Sequence, residues 1–241
     1  MCGAAPGRAA EGCSAVTNKR KTLEARRKVL IVDDHPLLRE GIGRIINQQE
    51  DLVVCGEACD APGGLAAVAK CRPDVALVDI SLERGSGLDL VKDLHARYPK
   101  LPVLVLSMHH EDLYAERALL AGARGYVMKR ESAATVIAAL RKVLGGQTAV
   151  SEAIINRLVG RRVRGESAPG RSPVELLSDR ELEIFRCLGE GQGTRDIAAK
   201  LRIAVSTVES YRAAIKQKLS LKNATELVSR AAQFVTEEAG G

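Results

Sequence analysis

The 241-residue chain contains no Trp and only two Phe and four Tyr, so aromatic residues make up 2% of it. That scarcity excludes a stacking platform for single-stranded nucleic acid, which needs exposed rings. No apolar run approaches the roughly 18 residues that a membrane-spanning helix requires, and no signal-peptide core follows the basic start. The six cysteines (Cys2, Cys13, Cys55, Cys59, Cys71 and Cys187) form no C-x-x-C pair and read as free thiols. Together these absences point to a reducing cytoplasm and away from a membrane.

What is present is ordinary globular composition, 46% hydrophobic and 27% charged, long enough for two small cores. The net charge of +6 is uneven. Residues 1–28 carry seven Lys/Arg against two Glu, whereas residues 29–148 carry fourteen against sixteen Asp/Glu. Near the C-terminus, Lys200, Arg202, Arg212, Lys216, Lys218 and Lys222 face only Glu209. That is either a polyanion-binding surface or a solvated helix face.

From Lys28, short apolar runs alternate with amphipathic segments, the pattern of a parallel sheet wrapped by helices. Strands are expected at 28–33, 52–58, 74–79, 102–107 and 125–129. Helices are expected to begin near Pro36, Asp60, Gly87, Glu111 and Ser132. The fold class that follows is α/β, a doubly wound five-stranded parallel sheet over 28–147, followed by a small all-α domain over 176–241. Residues 1–27 read as a disordered basic tail. Residues 148–175 read as a linker with one short helix, its 161–173 stretch rich in Arg, Gly, Ser and Pro.

Polar groups interrupt the apolar pattern at the strand ends: Asp33 and Asp34, Asp79, Ser107, and Lys129 just beyond the fifth strand. In a parallel sheet these ends share one edge, so residues scattered over about 100 positions converge. Converging carboxylates repel and call for a cation, and hard oxygen ligands suit Mg²⁺. With a hydroxyl and an ammonium added, the parts fit phosphoryl transfer, with Asp79 as the nucleophile. Each residue could alternatively be a separate helix cap or surface charge.

The stretches "VDDHPLLREGI", "DVALVDISLERGSGLDL", "VLVLSMHHED" and "AGARGYVMK" resemble the receiver domain of bacterial response regulators. The resemblance implies a flavodoxin-like fold in which Asp79 accepts a phosphoryl group from a sensor histidine kinase. It implies Mg²⁺ held by Asp34, Asp79 and the backbone carbonyl of Ser81, with Asp33 helping through water. It makes Ser107 and Lys129 the switch hydroxyl and phosphate-pairing lysine, and Tyr126 the switch aromatic. Tyr126 is equally readable as a half-buried strand tyrosine. Ser81 and His109 would flank the path of hydrolytic water, although His109 could be a solvated loop residue.

Farther on, Ser178 with Glu181 forms a capping box, and Thr194 and Asn223 are candidate caps. Val205, Val208, Tyr211, Ile215 and Leu219 form one apolar stripe, which leaves a polar, mostly basic opposite face. "LSDRELEIFRCLGEGQGTRDIAAKLRIAVSTVESYRAAIKQKL" resembles the LuxR-type helix-turn-helix, and with the receiver it indicates the NarL/FixJ type of response regulator. By that resemblance Ser206, Thr207, Glu209, Ser210, Arg212, Ala213 and Lys216 face double-stranded DNA. Ala204 stands where the family usually has Ser or Thr, unless Ser206 caps a helix starting later. Leu227, Val228 and Ala231 are readable either as a homodimer seam in the phosphorylated protein or as core. The function implied is a phosphorylation-dependent transcriptional regulator, not an enzyme; a protein-binding regulator that never touches DNA is the alternative.

Overall fold

The structure, a computed structural model, describes residues 26–82, 84–164 and 173–240. Residues 1–25 of the expected tail and 165–172 of the expected linker lie outside the described residues. Five apolar runs form parallel strands: β1 (Arg27–Val32), β2 (Leu52–Ala58), β3 (Val75–Asp79), β4 (Val103–Ser107) and β5 (Gly125–Met128). The first domain therefore starts slightly earlier than expected, since Arg27 already pairs with Leu52. Strand order is β2-β1-β3-β4-β5, so the chain reverses its winding direction between β1 and β3. Open α/β sheets bind their ligands outside the strand ends at that point.

Alternation along each strand sends side chains to both faces, and both are covered. Val29, Ile31, Leu77, Leu104 and Leu106 pack beneath α1 (Pro36–Asn47) and α5 (Ala133–Leu144). Leu30, Val32, Val78, Val103 and Val105 pack against α2 (Ala61–Cys71), α3 (Gly87–Arg97) and α4 (Glu111–Leu120). Local chemistry sets the helix starts. Pro36 occupies the first turn of α1, and Asp60, Ser86 and Ser132 accept from the backbone N–H of Gly63, Asp89 and Thr135.

The short helix expected within the 148–175 linker is α6 (Glu152–Arg164), which extends into the first residues of its Arg-, Gly-, Ser- and Pro-rich stretch. A 3₁₀ turn (Pro173–Leu176) then leads into α7 (Asp179–Gly189), α8 (Thr194–Leu201), α9 (Val205–Lys218) and α10 (Ala224–Gly240). The capping box is present: Glu181 N donates to Ser178 Oγ at 3.3 Å and Ser178 N donates to Glu181 Oε2 at 2.6 Å. Asn223 caps α10 through Glu226 N at 2.9 Å. Phe185, Leu188, Ile197, Val208, Ile215, Leu227 and Ala231 make the helical core, with the Phe185 and Phe234 ring centroids 5.6 Å apart.

Two expectations need correction here, and two open readings are decided. Thr194 is not a cap: Gly193 holds that position, and its N–H donates to Asp196. Val205 is exposed rather than part of the buried α9 stripe, because it lies in the first turn beyond the reach of the core. Leu227 and Ala231 are fully buried core residues, which leaves only Val228 partly exposed for a seam. Finally, Ala204 is the N-cap of α9 and supplies no side-chain bond, so Ser206 does not start the helix later. We predict that Ala204→Ser, by adding that bond, stabilises the C-terminal domain by about 1 kcal/mol in urea unfolding. An unchanged midpoint would show that the α9 amides are already satisfied.

Candidate functional site

Asp79 is the last residue of β3 and is 2% exposed, although it ends a run of apolar side chains. Asp33, also 2% exposed, follows β1, the neighbour of β3. Lys129 follows β5, and its Nζ lies 2.7 Å from both Asp33 Oδ2 and Asp79 Oδ2. Burial pushes the Asp79 carboxyl up to about 6, even though the Lys129 ammonium pulls it down. Desolvation works against Lys129 as well, but its two carboxylates outweigh that cost and hold its pKa above the ordinary lysine value. Ser81 N donates to Asp79 Oδ1 at 3.1 Å. Strand β3 ends against a close backbone approach: a Cβ on Gly87 would fall 2.0 Å from the Asp79 carbonyl oxygen, so only glycine lets α3 begin there.

Asp33, Asp34, His35 and Asp79 place one ligand atom each within 4.8 Å of one another. Buried Asp34 Oδ1 accepts no hydrogen bond of acceptable geometry; its neighbour is His35 Nδ1, 2.7 Å away. Three carboxylates and an orphaned oxygen fit a hard divalent cation such as Mg²⁺. His35, whose side chain is 63% exposed, is free to yield to it. His35 was not singled out in the sequence, yet it directly follows the Asp pair.

Ser107 is fully buried at the end of β4, and its Oγ accepts from His109 N at 3.1 Å. Tyr126 is turned inward, 2% exposed, and its hydroxyl donates to the His109 carbonyl at 2.7 Å. His109 is therefore no solvated loop residue; it is 4% exposed and its ring packs on Tyr114. Its Nε2 lies 2.5 Å from Ser81 Oγ. Burial, reinforced by the charges of Arg186 and Lys129, pushes the ring down to about 2, so it is neutral at physiological pH.

Residues 29–141 match the response regulator receiver domain, and residues 175–231 match bacterial regulatory proteins of the luxR family. The chain belongs to the response regulators with a LuxR-type C-terminal domain. Oxygen regulatory protein NreC of Staphylococcus epidermidis is 36% identical over 209 residues, covering 85% of this chain and 96% of that protein. RcsB of Salmonella enterica serovar Typhimurium, solved bound to the promoter rprA in the presence of the phosphomimetic BeF3⁻, is 26% identical with a TM-score of 0.63, covering 86% of this chain and 98% of RcsB. A LuxR-family response regulator from Aurantimonas sp. SI85-9A1 is 30% identical with a TM-score of 0.53, covering 57% of this chain and 99% of that one.

In the LuxR-type domain of this regulator, Ser206, Glu209, Ser210 and Ala213 on α9 are exposed, and Thr207, Arg212 and Lys216 are half-buried. Arg212 donates to Thr194 and to Glu209, both within hydrogen-bond distance, so three polar residues are pre-arranged across α8 and α9. Arg186 on α7, which no sequence signal marks, reaches the first domain and bonds Ser81 Oγ at 3.3 Å and the His109 ring.

The raised pKa of Asp79 carries a sign. Its protonated form is favoured in the folded state, so it contributes stability below its unfolded value of 3.8, and that contribution is lost as pH rises through about 6. We predict that in metal-free buffer Asp79→Asn is more stable than wild type at pH 7, by about 3 kcal/mol, with the difference vanishing near pH 4. Equal denaturation midpoints at both pH values would show that Lys129 neutralises Asp79 fully.

Proposed function

We propose that this DNA-binding transcriptional regulator is switched by transfer of a phosphoryl group to Asp79. The observation that carries this reading is a buried carboxylate at the sheet's topological switch point, raised in pKa, salt-bridged to a buried lysine and flanked by two further carboxylates. In the transfer, an Asp79 carboxylate oxygen forms a bond to phosphorus as the phosphorus–nitrogen bond of a kinase phosphohistidine breaks, and the leaving imidazole takes up a proton. A sensor histidine kinase is thus the expected partner, in the cytoplasm. Among the described residues no helix is long and apolar enough to cross a membrane.

Lys129 keeps one carboxylate oxygen of Asp79 fixed and offers its charge to the arriving phosphoryl oxygens. Asp34, Asp79 and the carbonyl of Ser81 would hold Mg²⁺, with Asp33 acting through water; when bound, the metal supplies charge neutralisation at the phosphoryl oxygens. Ser107 Oγ turns to the phosphoryl group, and Tyr126 fixes the β4–α4 loop from inside.

The output is DNA binding by α9. Lys216 and Arg212 lie on the phosphate backbone, and Ser206, Thr207, Glu209, Ser210 and Ala213 lie nearer the base edges. Phosphorylation favours a homodimer that reads two half-sites. RcsB, solved bound to promoter DNA in the presence of a phosphomimetic, supports DNA binding as the output.

Two measurements test the reading. Intact-mass spectra after incubation with acetyl phosphate and Mg²⁺ are expected to show one phosphoryl adduct that is absent without Mg²⁺ and in Asp79→Ala. An adduct surviving in Asp79→Ala would move the acceptor elsewhere. Lys216→Ala is expected to weaken DNA binding evenly across sequences and to lower the salt-dependence slope by about one phosphate. A change in sequence preference with an unaltered slope would instead make Lys216 a base reader.

A further inference from the structure

Helix α7 lies across the mouth of the Asp79 site and is held at both ends. At its start, Asp179 accepts from Lys92 at 2.7 Å and from Arg117 at 2.9 Å. Burial pushes the Asp179 carboxyl up, but those two cations outweigh it and hold it below its ordinary value. Arg117 also donates to the carbonyls of Glu175 and Leu177, and Arg157 pairs with Glu175. Seven residues along α7, about two turns and roughly 10 Å, Arg186 meets Ser81 Oγ and His109 Nε2. Guanidinium groups only donate, so the His109 Nε2 it meets is the bare acceptor nitrogen.

Between these two anchors lies a cavity of about 310 Å³. Asp34, Asp79 and Lys129 form its floor, and Glu183, Arg186 and Lys200 form its roof. The outward residues of α9, by contrast, stay exposed. What docking covers is the phosphoryl acceptor and not the DNA-reading helix.

His109 connects that cover to the switch. Its backbone N–H is held by Ser107 Oγ, its carbonyl by Tyr126 Oη, and its ring by Ser81 and Arg186. We propose that His109 is the latch between the two domains. Arg186 seated on its ring closes α7 over Asp79, and the turn of Ser107 toward the phosphoryl group, by taking the acceptor from the buried His109 N–H, unseats Arg186 and lifts α7. A buried N–H without a partner does not hold its position, so the loop must move once Ser107 leaves it. His109 acts here as a positioning residue, through Arg186. The trigger rests on the reading of Asp79 as acceptor; the latch itself is observable without phosphate.

Two readouts on the full chain test it. A zero-length carbodiimide cross-link between Lys92 and Asp179 reports docking, and intact mass reports the initial rate of Asp79 phosphorylation by acetyl phosphate with Mg²⁺. The cross-link is expected in the unphosphorylated protein and lost after phosphorylation. Arg186→Ala, which leaves the receiver untouched, and His109→Ala should each lose the cross-link. Each should also speed phosphorylation about tenfold, the factor one charge-assisted hydrogen bond carries, with no further gain in the double variant. His109→Gln, which restores an acceptor near the Nε2 position, should recover both; a merely structural role would not be rescued this way. An unchanged cross-link and rate in Arg186→Ala, with Asp79 still phosphorylated, would overturn the latch and leave the acceptor standing. Absence of an adduct in every variant, with the cross-link still responding to Arg186→Ala, would overturn the acceptor and with it the trigger.

Discussion

The ammonium of Lys129, buried between Asp33 and Asp79, is the contact on which the arrangement of the first domain's site depends. It joins the ends of β1, β3 and β5, three strands whose carboxyl ends would otherwise bring two buried negative charges together. Deleting Lys129 would cost several kcal/mol, because two buried carboxylates would be left without a compensating charge. The same requirement bears on the acceptor role proposed for Asp79. One ammonium shared by two carboxylates does not offset the burial of Asp79, whose carboxyl sits at a raised pKa with an open cavity above it. The geometry that holds the sheet edge together is therefore also the one on which the proposed phosphoryl transfer rests.

Around that ion pair, the fold supplies placement by small means. Gly87 lets α3 start against the Asp79 carbonyl, where any side chain would collide. The backbone N–H of Ser81 bonds the second carboxylate oxygen, so both oxygens of Asp79 have defined partners. Ser107 and Tyr126 reach the same loop from opposite sides, one bonding its amide and the other its carbonyl at His109. A displacement of Ser107 would thus reach His109 directly through one hydrogen bond and needs no long chain of packed side chains.

Much of this is written in local patterns. The five strands are legible because buried parallel strands are continuous apolar runs, and Asp33, Asp34, Asp79, Ser107 and Lys129 are legible because each breaks such a run at its end. The Ser178 and Glu181 capping box and the Asn223 cap are equally local. What the sequence hides depends on packing. Thr194 has the chemistry of a cap but is drawn toward Glu209 and Arg212 on the next helix, leaving Gly193 to begin α8. Val205 fits the apolar stripe by spacing and still faces solvent, since period alone does not say where a core stops. Leu227 and Ala231 could be told from a dimer seam only once α10 was seen to pack on α7. Arg186 is one of many arginines in a basic chain, and nothing within α7 distinguishes it from Arg180, which pairs with Glu183.

The contrast between Arg186 and Arg180 bears on how the two domains share control. Arg180 pairs within its own helix with Glu183 at 2.8 Å, a bond that survives movement of the domain, and reaches the first domain more distantly, 3.8 Å from Asp89 on α3. Arg186 also has a partner on α7, Glu190 at 3.3 Å, so a guanidinium released from His109 is not left stranded. That fallback lowers the cost of undocking at this end of the helix, because Arg186 keeps a carboxylate partner, and small differences at Asp79 then suffice to shift the balance between docked and free. The anchors at Asp179 and Glu175 work differently: their cations come from α3, α4 and α6, and they position α7 without sensing the site. One end of the helix thus sets where the cover sits, and the other, at His109, decides whether it stays.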